Sequence, residues 1–144
     1  MTGIPTSSAA LAGIEDEIER LAAVPGALSR RVVNSFERSL HRLFCRYGER
    51  ATFKGLNGSK ATIKIGVRTI RDSELAAGIP AGYSALIIPA RSLRLGGVAL
   101  PIRKGDRVVR FAGAEHDVAM VIDKEPQIFT LDDRMMLFRG YAQG

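Results

Sequence analysis

The chain has 144 residues, of which 46% are hydrophobic and 25% charged, with a formal net charge of +6. This is the composition of a globular protein with one modest domain, and no apolar run approaches the roughly 20 residues that a membrane span needs. The opening MTGIPTSSAAL lacks the basic start and long apolar core of a signal peptide, and the single cysteine, Cys45, excludes an internal disulfide and points to a reducing compartment.

The charge is unevenly placed. Residues 1–25 carry four acidic side chains and one basic, residues 26–71 carry eleven basic and two acidic, and residues 72–144 carry nine of each. The basic block therefore lies in the middle of the chain, where it favours an anionic or acidic partner.

Residues 1–24 read as a tail and a short helix capped by Thr6, Ser7 or Ser8, with Leu11, Ile14, Ile18 and Leu21 on one stripe. That stripe is expected to dock on the second helix or on a neighbouring subunit. Pro25-Gly26 separates the two helices. Residues 25–48 form the strongest helical pattern, with Leu28, Val32, Phe36, Leu40, Leu43 and Tyr47 on one face and Gly48 expected as a left-handed cap. Arg30, Arg31, Arg38, Arg42 and Arg46 fall mostly off that face, with Glu37 as the only acidic residue among them.

Residues 49–144 read as a β-domain. Ala51–Phe53 is a short strand, GLNGSK a turn, and Ala61–Val67 alternates as a half-buried strand does. Strands also follow from YSALII before Pro89, from Val108-Val109, from the alternation of Val118, Met120 and Ile122, and from the run between Leu131 and Tyr141. Residues 68–82 and 91–101 read as long loops of the kind that carry function. The fold class is α+β: two N-terminal helices followed by a small antiparallel β-sandwich or barrel of five or six strands.

No catalytic, metal or cofactor constellation is visible. His41 and His116 have no partner at zinc-ligand spacing, GLNGSK is not a phosphate loop, and no Gly-x-Ser-x-Gly elbow occurs. Asp117, Asp123, Asp132 and Asp133 read as turn or strand-end carboxylates, and Cys45 as a small hydrophobe or helix-flank residue without an activating base. The expectation is a protein that is not an enzyme, needs no cofactor and makes no membrane contact.

Three segments carry a resemblance: Arg46-Tyr47-Gly48-Glu49-Arg50-Ala51-Thr52-Phe53, then Lys104-Gly105-Asp106-Arg107-Val108-Val109, then the strand from Asp117 to Ile122. In this order, over about residues 40–141, the chain resembles the small head-completion, or head–tail joining, proteins of tailed bacteriophages. The resemblance implies a structural protein of the virion neck, assembled in the host cytoplasm as a homo-oligomeric ring with six- or twelve-fold symmetry. A portal or adaptor protein would sit above it and a tail terminator or tail tube below, with packaged DNA in the lumen. Arg30, Arg31, Arg38, Arg42, Arg46, Lys54 and Lys64 are the candidates for facing DNA or an acidic partner. Leu11, Ile14, Ile18 and Leu21 of the arm, with Ile79, Tyr83, Leu93 and Leu95 of the loops, are the candidates for subunit contacts. Removing the arm up to Val24 is then expected to abolish assembly while leaving a folded domain. A tail-terminator or adaptor ring protein, and a non-specific basic nucleic-acid-binding module, are the alternatives.

Overall fold

A computed structural model describes Leu11 and residues 13–23, 29–111 and 117–143. The expected caps at Thr6, Ser7 and Ser8, the Pro25-Gly26 break, Leu28 and His116 lie outside the described residues.

Two helices precede the sheet, α1 at Ile14–Ala22 and α2 at Arg30–Tyr47. Ser29 caps α2: its backbone is extended and its hydroxyl accepts from Val32 N at 3.2 Å. The buried stripe of α2 is Val33, Glu37, Leu40 and Phe44. It is turned by one residue from the sequence expectation, and Val32 is 51% exposed. The reason is Glu37, a buried charge that no apolar pattern registers, together with Phe44, which no solvent reaches. Gly48 is extended, with φ −73°, and is not a left-handed cap. A Cβ there would lie 2.6 Å from Phe44 O and 3.0 Å from Ile65 O, so glycine is required by the close passage of the helix end over the sheet.

Seven strands follow: β1 at Glu49–Lys54, β2 at Lys60–Thr69, β3 at Tyr83–Pro89, β4 at Arg107–Arg110, β5 at Val118–Val121, β6 at Gln127–Leu131 and β7 at Arg134–Gln143. They form one antiparallel sheet in the order β5-β4-β1-β2-β3-β7-β6. The fold class is α+β, as the residue pattern indicates. β6 is the strand that the sequence reading lacks; it was hidden between Pro126 and the run starting at Leu131.

The segments read as long loops also contain helices, α3 at Asp72–Ala76 and α4 at Ala90–Leu95. At the start of α3 the Glu74 carboxylate accepts from Arg71 N at 2.8 Å, and α4 follows directly from Pro89. Each has a single turn or little more, too short to show a period in the sequence.

β5 and β6 are neighbours in the chain but opposite edges of the sheet, so the sheet must curl. The curl is fastened where Asp123 N donates to Tyr141 O at 3.0 Å. Inside it lies one apolar cluster that includes Phe53, Ile65, Ile88, Leu93, Met120, Ile122 and Phe138. On the outer side of β3, β6 and β7 a second cluster joins Leu11, Ile14 and Ile18 to Val33, Leu40, Phe44, Phe129 and Leu137. α1 thus packs on β6 rather than on α2. Each of these large side chains contributes about 1.5–3 kcal/mol on burial.

The Lys104-Gly105-Asp106 turn has a structural role. Gly105 takes φ 97°, while Asp106 accepts from Arg103 N at 2.8 Å and from Leu56 N at 2.9 Å. It therefore ties the β1–β2 turn to the entry of β4. At the β6–β7 hairpin, Asp132 and Asp133 take φ 50° and 61°, the left-handed pair of a two-residue turn.

Candidate anion-binding face

The buried stripe of α2 fixes what the opposite side presents. Arg31, Arg38, Arg42 and Arg46 recur at intervals of seven, four and four, so they stand on one outer face. All four are exposed, as is Arg30. From first to last the row spans roughly 22 Å at 1.5 Å per residue. Arg42 donates to Ser39 Oγ at 3.4 Å, and the Arg46 guanidinium lies 5.3 Å from the Tyr47 ring centroid.

Among the described residues no carboxylate comes within ion-pair distance of any arginine in this row. The arginines turned into the fold differ. Arg94 reaches Glu37 at 2.7 Å, with Arg91 at 3.4 Å and Arg134 at 3.7 Å from the same carboxylate. Arg110, fully buried, makes two bonds to Glu49 at 2.7 and 2.8 Å. Positive charge is paired with carboxylates inside the fold and, among the described residues, unpaired along α2. Such a row is able to neutralise phosphates or an acidic surface without reading a base sequence.

A second charged centre is closed. Arg68 on β2 bonds Glu15 at 2.8 and 2.9 Å and Glu74 at 2.6 and 3.0 Å. Arg139 bonds Glu15 at 2.5 Å, and the Tyr141 hydroxyl donates to Glu74. Burial raises the Glu74 pKa, but the bonds from Arg68, Tyr141 and Arg71 N outweigh it and hold the group at about 2. For Glu15 burial is likewise overcome by Arg68 and Arg139, and the pKa is lowered. Burial and the Glu74 bond push Tyr141 up to about 12. Two carboxylates against two guanidiniums, bonded from α1, β2, α3 and β7, form an ionic clasp.

The remaining candidates separate clearly. Lys54 is exposed at the end of β1 and Lys64 half-buried on β2. Leu11, Ile14 and Ile18 are buried against the chain's own sheet, and half-buried Leu21 packs beside them. Leu93 is fully buried in the inner core. These five side chains are engaged within the chain, which corrects their reading as subunit contacts: the stripe of α1 covers β6. Ile79 and Tyr83 are half-buried, Tyr83 donating to Asp123, and of these candidates Leu95, 69% exposed, presents a large apolar surface.

Cys45 has a base beside it after all. His41 Nε2 lies 3.5 Å from its Sγ, and Ser92 Oγ lies 3.5 Å from His41 Nδ1. The signal was present as a spacing of four on a helix. Among the described residues no helix is long and apolar enough to cross a membrane. In comparison with known proteins, the chain matches no family model and no curated protein.

Proposed function

We propose that this chain is a structural subunit of a tailed-phage head–tail connector, a ring that closes the DNA-filled head below the portal and receives the tail. The observation that carries this reading is the unopposed arginine row of α2. A row of this length, held rigidly by Val33, Leu40 and Phe44, suits a surface lining a DNA-filled channel, where contact with phosphate must be firm but indifferent to sequence. The order of elements, with the KGD turn clamping the β1–β2 tip, is the second support.

The test is complementation with a charge-reversed row, Arg38→Glu with Arg42→Glu. Both side chains are exposed and, among the described residues, in no ion pair, so the fold should change by no more than about 0.5 kcal/mol. The variant is expected to fold and yet fail to restore sealed, infectious heads. Full rescue would remove the row from the function. The row also favours a plain nucleic-acid-binding module; that reading requires the free monomer to bind duplex DNA tightly at low salt, with affinity falling steeply as salt rises.

A further inference from the structure

A cleft of about 370 Å³ lies where the second half of α2 meets β1, β2 and α4. His41, Cys45, Arg50, Thr62, Lys64 and Ser92 bring polar groups to it, and Leu95 supplies an apolar side chain. Every charged side chain in the lining is cationic. Arg50 and Lys64 stand directly opposite each other in the β1–β2 register, on the side of the sheet away from Ala51, Ile63 and Ile65. Like charges in that position weaken a strand pair.

Glu37, one turn before His41, is held by Arg91, Arg94 and Arg134, and Glu49, next to Arg50, is held by Arg110. Among the described residues no carboxylate lies within ion-pair distance of Arg50 or Lys64.

We infer that this cleft binds a phosphate monoester of about mononucleotide size. Two fixed positive charges match a group carrying about −1.5 to −2 at neutral pH. Arg50 and Lys64 take phosphoryl oxygens, the Ser92 and Thr62 hydroxyls add bonds at other angles, and the exposed Leu95 side chain receives the organic body. The volume falls within the roughly 300–1,000 Å³ of small-molecule sites. Binding relieves the Arg50–Lys64 repulsion and therefore stabilises the fold. The inference does not rest on the connector reading. A free nucleotide and the 5′-terminal phosphate of a DNA strand offer the same group.

The experiment is calorimetric titration of the full chain with adenosine monophosphate, with adenosine, and with a short single strand carrying or lacking a 5′ phosphate. The expected result is saturable one-to-one binding that depends on the phosphate, with adenosine weaker by about tenfold or more. Binding of adenosine monophosphate assigns the site to free nucleotides. Binding of the phosphorylated strand alone assigns it to DNA ends. Cys45, the single cysteine, gives an independent reading, because an occupied cleft should slow its alkylation by iodoacetamide. Lys64→Glu should weaken binding by about tenfold or more and raise the melting temperature, since the new carboxylate faces Arg50. Lys64→Gln, which places no charge there, should weaken binding in the same direction. The proposal is overturned if no phosphorylated probe binds saturably up to about 10 mM, or if both Lys64 variants bind as the parent does.

Discussion

Arg68 holds Glu15 through two bonds of 2.8 and 2.9 Å across 53 residues of chain. One guanidinium on β2 thereby fixes the first helix to the sheet, and through Glu74 it fixes α3 as well. Replacing it by an apolar residue removes four of the bonds that hold two buried carboxylates. Glu15 is left to Arg139 and the more distant Arg71, and Glu74 to Tyr141, Arg71 N and the more distant Arg139. Arg68→Met should therefore cost about 3–5 kcal/mol, read as a lower urea midpoint with an unchanged slope. A loss below about 1 kcal/mol would show the clasp to be a surface ion pair in its energetics.

The same contact changes what the N-terminal segment is. A detachable arm could be removed with the fold intact, but α1 places Ile14 and Ile18 in the outer core and Glu15 in the clasp. Deleting residues 1–24 uncovers Phe129 and Leu131 and strips Arg68 and Arg139 of one carboxylate. The truncated chain should lose several kcal/mol, on the scale of two buried aliphatic side chains and a broken buried pair. It should then be partly unfolded by circular dichroism at room temperature. A cooperative transition at the parent's midpoint would restore the arm as an independent appendage.

Acid should release the clasp before it releases the apolar core. Glu74 has its folded pKa depressed from 4.5 to about 2, and that of Glu15 is lowered too. A depressed carboxylate pKa contributes stability that is complete above the unfolded value and lost as pH falls through the folded one. The loss should run from about pH 4.5 down to about pH 2 and amount to something on the order of 3 kcal/mol for Glu74. Glu74→Gln should flatten that part of the stability–pH curve. An unchanged curve would place the acid sensitivity elsewhere.

Where the residue pattern succeeds and fails follows from what it measures. Ala61, Ile63, Ile65 and Val67 alternate with polar or small neighbours, and β2 is found there because one of its faces is core. The turn at Lys104–Asp106 is legible because Gly and Asp supply its φ and its bonds locally. Glu15 and Glu37 are illegible as core positions: their burial depends on Arg68 and Arg94, which lie 53 and 57 residues further along. No count of apolar spacing contains that information. The rotated stripe of α2 is a direct consequence, since Glu37 occupies a position that a hydrophobic pattern passes over.

The arginine row was legible for the complementary reason. Arg31, Arg38, Arg42 and Arg46 lie off the apolar face under either phase of the helix. The cleft at Arg50 and Lys64 was not, because it forms only when β1 and β2 pair and α4 packs near them. α4 itself, six residues long, has too few positions to show a period.

The most direct measurement of the connector role is electron microscopy of a phage lysate in which the reading frame of this chain carries a nonsense mutation. A connector role requires leaky or DNA-filled heads lying beside complete, separate tails, with joining restored when the intact chain is supplied. Normal infectious particles in that lysate would contradict it.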